Sequence, residues 1–176
     1  MQTIKTFGVI GTGIIGAGWA ARALARGLNV LAFDPGVDAQ DHLRDNLARV
    51  WPVLERTGLF PGASVDRLRF CDSLEEVALG AQFIQESAPE RIDLKTTLHA
   101  QIDAAAPVDV LIASSTSGLL PSEFQSQCAH PGRVMVGHPF NPVYLLPLVE
   151  VLGGEQTDAD NIERAVAVYR DLGMYP

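Results

Sequence analysis

Directly after the β-branched run Ile4–Ile10, the segment VIGTGIIGAG sets glycines at positions 11, 13 and 16 and then enters a helical pattern. Few chain paths satisfy that order. A strand that passes through a tight glycine turn into a helix opens a βαβ unit, and Asp34 closes the next apolar run eighteen residues after Gly16. In such a turn Gly11 permits the sharp reversal, Gly13 lets backbone approach a pyrophosphate, and Gly16 lets helix and strand pack closely. The amides at the helix start, those of Ile14, Ile15 and Gly16, face the phosphate charge. A carboxylate at Asp34 accepts hydrogen bonds from a ribose 2′-hydroxyl and repels a 2′-phosphate, so the expected cofactor is NAD rather than NADP.

The rest of the chain continues the alternation. Apolar runs at Val30–Phe33, Leu68–Cys71, Gln82–Glu86, Val110–Ser114, Arg133–Gly137 and Pro147–Leu152 read as strands. Helical patterns separate them at Ile14–Arg26, Ala39–Arg56, Leu74–Leu79, Ile92–Asp103, Ser122–Gln127 and Asp158–Leu172, the last with Thr157 as its expected N-cap. Continuous apolar strands joined by helices imply a mostly parallel sheet covered on both faces, a doubly wound α/β domain of the Rossmann type. The 176 residues are expected to form one such domain. The ending DLGMYP, with glycine after the last helix, reads as an approach to a further strand in a longer protein.

Charge narrows the partners. Thirteen Lys and Arg against 21 Asp and Glu give a net charge of −8, which disfavours nucleic acid and anionic membrane surfaces and favours a cationic or zwitterionic small molecule. Cys71 and Cys128 stand alone, without metal-ligand or disulfide spacing, so they read as structural thiols in a cytoplasmic protein without a metal site. The stretch Phe7–Ala25 carries only Arg22 as a charge and superficially resembles a secretory signal. The glycine spacing explains it better, and no run reaches the roughly 20 apolar residues of a membrane span.

Three segments leave the carboxyl ends of strands, where open α/β sheets bind ligands. They are ESAPERIDLK (Glu86–Lys95), SSTSG (Ser114–Gly118) and HPFNP, which begins at His138. Serines and prolines there also suit helix starts, and Pro121 suits a first helical position. Prolines at 139 and 142 stiffen the loop expected to hold His138, while Glu150 lies among apolar neighbours and needs a partner. A His138–Glu150 hydrogen bond fixes the imidazole tautomer and makes it a general base for a substrate hydroxyl. His42, His99 and His130 read as surface or loop residues.

SSTSG, then His138 in HPFNP 21 residues beyond Ser117, then Glu150 twelve residues later, resembles the N-terminal NAD-binding domain of the 3-hydroxyacyl-CoA dehydrogenase family over essentially the whole chain. The resemblance implies His138 and Glu150 as the catalytic pair, Ser117 near the substrate oxygen and nicotinamide, and Asn141 ordering the site. It implies cofactor contacts from Ser87, Glu90 and Lys95, a homodimer, and a helical C-terminal domain without which turnover is weak or absent. The family's acyl-CoA enzymes hold CoA with a lysine-rich helical segment after the second strand. Here Asp38–Val65 carries three arginines against four acids and no lysine. That pattern favours a short hydroxy acid bearing a quaternary ammonium, with Phe140 and Tyr144 as candidate aromatic faces. A 3-hydroxyacyl-CoA, a sugar acid, or a non-catalytic NAD-binding or crystallin-like role are the competing readings.

Overall fold

In the computed structural model, which describes residues 4–176, the apolar runs do become strands, and the chain alternates as their spacing requires. The order is β1 (Thr6–Ile10), α1 (Ile14–Ala25), β2 (Asn29–Phe33), α2 (Ala39–Thr57), β3 (Leu68–Phe70), α3 (Leu74–Gly80), β4 (Phe83–Glu86) and α4 (Ile92–Ala105). There follow β5 (Leu111–Ser114), α5 (Pro121–Phe124), β6 (Val134–Pro139), β7 (Val149–Gly153) and α6 (Ala159–Asp171). One seven-stranded sheet has the order β3-β2-β1-β4-β5-β6-β7. Every pairing is parallel except β6 with β7. The order reverses beside β1, between β2 and β4. This is the switch point at which the first helix and the loop after β4 diverge to opposite faces and open a crevice.

β4 and β5 are buried at every position because helices cover both faces of the sheet; β5 reads as a nearly unbroken apolar run, whereas β4 ends in the polar pair Gln85 and Glu86. One face packs α1 against Phe7, Phe83 and Tyr169, and the other packs α3 and α4 against Ile84, Ile112 and Val136. Helix α1 is rich in alanine and glycine and is buried from Gly16 onward. Its small side chains let it approach the sheet closely, and this fixes the direction of its N-terminus.

The structure revises three local expectations. β6 runs through His138 to Pro139, so the histidine belongs to a strand and not to the loop beyond it. Helix α5 begins at Pro121, as its ring favours, but ends at Phe124. Thr157 does not cap α6: Asp158 holds that position, and the Thr157 hydroxyl donates to the Val134 carbonyl at 2.7 Å and accepts from the Gly154 amide at 2.8 Å. At the end of the chain, Tyr175 forms a parallel bridge with Leu148, as an approaching strand would. Among the described residues no helix is long and apolar enough to cross a membrane. Phe7–Ala25 forms β1, the glycine turn and α1.

Candidate active site

The nucleotide half of the site is made by backbone. Gly11 sits at φ +88°, where a side chain would be strained, and a Cβ there would lie 2.7 Å from the Ser87 carbonyl carbon. A Cβ on Gly16 would fall on the Gly11 carbonyl oxygen, so α1 meets the turn without intervening side chain. At Gly13 a Cβ would meet nothing of the chain within 4 Å; that space is open to a ligand. Asp34 follows β2, accepts from the Thr12 amide at 2.7 Å through one oxygen and from the Gly36 amide at 2.8 Å through the other. A carboxylate has about four acceptor positions, so capacity remains for ribose hydroxyls. These groups border a cleft of about 880 Å³ that runs from Gly13 and Asp34 past Ser87 to the apolar side chains of Leu94 and Leu98. A glycine cradle, unpaired helix amides at Ile14 and Ile15, an acid and an apolar slot suit the pyrophosphate, ribose and base of NAD. The residues present fit the cofactor.

The loops after β4 and β5 are tied together. Glu90 accepts from the Ser117 and Gly118 amides at 3.0 and 3.1 Å and from the Thr116 hydroxyl. Partial burial pushes its carboxyl up, but those bonds and the charge of Lys95 outweigh burial and hold it below the usual range. Glu90 thus positions the serine loop. Lys95 departs from expectation. It is 1 % exposed, and its ammonium donates to Glu86 at 2.8 and 3.0 Å and to the Ala88 carbonyl at 3.1 Å. All three of its protons are committed below the cleft surface, so Lys95 supports the loop and does not present a donor to the cleft. His99, expected at the surface, is fully buried beside this pair. Its Nδ1 bonds the Lys95 carbonyl at 2.8 Å, its ring packs on Phe124, and burial lowers its pKa.

The other half comes from the antiparallel pairing of β6 with β7. His138 on β6 lies opposite Glu150 on β7, and Nδ1 meets Glu150 Oε2 at 2.9 Å. A carboxylate is an acceptor only, so Nδ1 carries a proton, and in the neutral ring the lone pair then lies on Nε2. Glu150 is not enclosed by apolar neighbours as expected: its side chain is 66 % exposed, and His138 24 %. The pair lines a cavity of about 370 Å³ together with Ser117, Gly118 and Leu152. His138, Glu150 and Ser117 are therefore brought together. Asn141 is exposed on the turn after β6 and does not line that cavity. Phe140 stands 5.4 Å from the His138 ring, whereas Tyr144 lines a separate cavity with Arg22 and Arg26, so the two aromatics do not share a site.

The surroundings of both cysteines disfavour the nucleophilic thiolate. Burial raises both thiols, Cys128 to about 12. His42 is exposed and His130 half-exposed, as their loop and surface positions imply. Sequence reading overlooked the polar residues beneath the site, Gln85 and Glu86 on β4 and Ser115 after β5. The signal was present: polar side chains inside a strand buried on both faces demand partners.

The chain is similar to known NAD-dependent dehydrogenases in sequence and in fold. Residues 6–176 match the family model described as 3-hydroxyacyl-CoA dehydrogenase, NAD binding domain. The chain is 61 % identical over 173 residues to an L-carnitine dehydrogenase of Pseudomonas aeruginosa, covering 98 % of this chain and 54 % of that protein. Among solved structures, 3-hydroxybutyryl-CoA dehydrogenase from Escherichia coli superposes with a TM-score of 0.91 at 30 % identity, over 99 % of this chain and 38 % of that one. An NAD⁺-dependent 5-formyl-3-hydroxy-2-methylpyridine 4-carboxylic acid 5-dehydrogenase gives 0.90 at 32 %, over 99 % and 57 %. The chain spans about half the length of the curated relatives it matches.

Proposed function

Because this chain belongs to the 3-hydroxyacyl-CoA dehydrogenase family through its NAD-binding domain, we propose that it serves NAD-dependent oxidation of the secondary alcohol of a short L-3-hydroxy acid, L-carnitine being the substrate we favour. The observation that carries the reading is the Nδ1–Glu150 bond, which leaves Nε2 of His138 bare in a cavity shared with Ser117. When bound, NAD supplies the acceptor for the hydride that leaves the carbinol carbon. The chain's own work is with the proton. Nε2 accepts it from the substrate hydroxyl, Glu150 stabilises the resulting imidazolium, and Ser117 holds the substrate oxygen in line. Proton and hydride together convert the alcohol to a ketone. Asn141 lies one turn away and orders the approach to the cavity.

Carnitine is favoured over an acyl-CoA by two supports. The curated relatives at 58–61 % identity are L-carnitine dehydrogenases. Asp38–Val65, which includes α2, has no lysine and more acid than base, leaving the phosphates of CoA unmatched. The structural neighbours that act on 3-hydroxybutyryl-CoA keep the acyl-CoA reading as the second one.

Since the relatives are nearly twice as long, we place the rest of the substrate enclosure outside this domain and expect the 176 residues to bind NAD with weak turnover. The complete gene product is expected to be a cytoplasmic homodimer, checked by fractionation and light scattering. The deciding experiment is NADH absorbance with L-carnitine, 3-hydroxybutyryl-CoA and L-gulonate. Turnover of the CoA thioester alone replaces the carnitine reading, and undiminished turnover by His138→Ala removes the proposed base. No turnover with any of them leaves a nucleotide-binding protein.

A further inference from the structure

Five polar side chains beneath the two halves of the site form one hydrogen-bonded chain, and two of its ends have only one possible polarity. The Gly137 carbonyl can only accept, so the Gln85 group 3.0 Å from it is the amide nitrogen. The Gln85 oxygen then faces Tyr169, whose hydroxyl must donate to it at 2.7 Å. Burial pushes that phenol far above its ordinary range, so it keeps its proton. The second Gln85 N–H goes to Ser115 Oγ at 2.8 Å. The Trp19 indole, a donor only, reaches the same oxygen at 3.2 Å. Both lone pairs of Ser115 are thereby filled. Among the described residues its single proton has one acceptor, the Ser87 oxygen at 2.9 Å. Ser87 accepts that bond and retains its own proton, for which no acceptor stands among the described residues, and Ser87 borders the nucleotide cleft.

We propose that this chain makes Ser87 an obligate hydrogen-bond donor to an acceptor oxygen of the bound dinucleotide, with Ser115 and Gln85 as positioning residues that fix the direction of its proton. The inference rests on the NAD reading of the cleft. Tyr169, Gln85 and Trp19 are all fully buried, so none can turn to water and relax the polarity. A hydroxyl that can rotate freely loses part of its bond to orientation. One whose alternative is already occupied does not.

The test is NAD affinity by calorimetry in the full-length protein, with thermal unfolding as a check on folding. Ser87→Ala is expected to weaken NAD binding about fivefold to tenfold, and Ser87→Thr to restore most of it. Ser115→Ala is expected to weaken binding by less. Combined with Ser87→Ala it should add nothing, because its influence passes through Ser87. Gln85→Leu is expected to behave as Ser115→Ala does. Wild-type affinity in Ser87→Ala, or losses that multiply in the double variant, overturns this inference alone. A wild-type protein that does not bind NAD overturns the cofactor reading together with it.

Discussion

Glu150→Gln is the sharpest probe of the proton-acceptor pair, because it changes charge and leaves shape. The Gln oxygen can still accept from Nδ1 at 2.9 Å, so the ring keeps its tautomer and its place opposite residue 150. What is lost is the negative charge beside an imidazolium that exists only once the substrate proton has transferred. Two unit charges about 4 Å apart interact by about 1 kcal/mol in water and about 4 kcal/mol at the effective dielectric of a protein surface. With Glu150 66 % exposed, solvent screening places the value toward the lower limit, at about 1–2 kcal/mol. That corresponds to a fall in kcat of about 5- to 30-fold, with NAD affinity unchanged. The loss should shrink further against wild type as salt is raised, since the pair is open to ions. Glu150→Ala also frees the ring to rotate and should cost more. The assay is initial-rate NADH absorbance with L-carnitine, paired with NAD titration. A Gln variant with unaltered kcat, or one that loses NAD affinity in place of kcat, refutes the role assigned to this carboxylate.

The buried support of the site yields three further expectations. Lys95→Met strands the Glu86 carboxylate, fully buried, without its counter-charge and should destabilise the domain by about 3–5 kcal/mol in urea unfolding; adding Glu86→Gln should recover part of that. His99 has a folded-state pKa below its usual 6.5, because burial outweighs the attraction of Glu86, so the folded protein binds fewer protons than the unfolded chain. Stability is therefore present above that value and is lost as pH falls through 6.5, by at most about 1.4 kcal/mol per pH unit. Denaturation at pH 7 and pH 5 should show a smaller difference for His99→Gln than for wild type. Gly137→Ala drives a methyl group into the buried Tyr169 hydroxyl and should cost about 1–3 kcal/mol, measured as a lower urea midpoint.

The sheet was legible because strands buried on both faces are mostly apolar: β5 is a nearly continuous apolar run, β4 is one up to Gln85, and the glycine turn marks where the first of the parallel strands hands over to a helix. Direction was not legible for β7. An apolar run such as PLVEVL reads the same in either sense, and only its pairing with β6 reveals the reversal. Pro139 hid the end of β6 for a related reason: proline lacks the amide and reads as a break, yet it is tolerated at the end of a strand, here opposite Val149. Lys95 and His99 were misplaced because α4 has little amphipathic contrast and no local cue to which residues turn inward. Their cue was Glu86, an acid in a fully buried strand, which could not remain without cations or donors nearby.

The two halves of the site draw their precision from different sources. On the nucleotide side it comes from the absence of side chains, with Gly11 and Gly16 bringing backbone against backbone so that helix amides face the ligand. On the proton side it comes from strand register, for directly opposed residues of an antiparallel pair share a face with Cβ atoms about 5 Å apart. A slip of one residue would turn Glu150 to the other face, so the β6–β7 pairing itself holds the His138–Glu150 bond. The connection 140–148 need supply none of that precision. Two independently specified halves still have to agree in position, and Gln85 is the side chain that touches both. One of its amide protons holds the carbonyl preceding His138, and the other holds the serine that orients Ser87 at the cleft. A polar residue in the middle of a buried strand is then explained by what it joins.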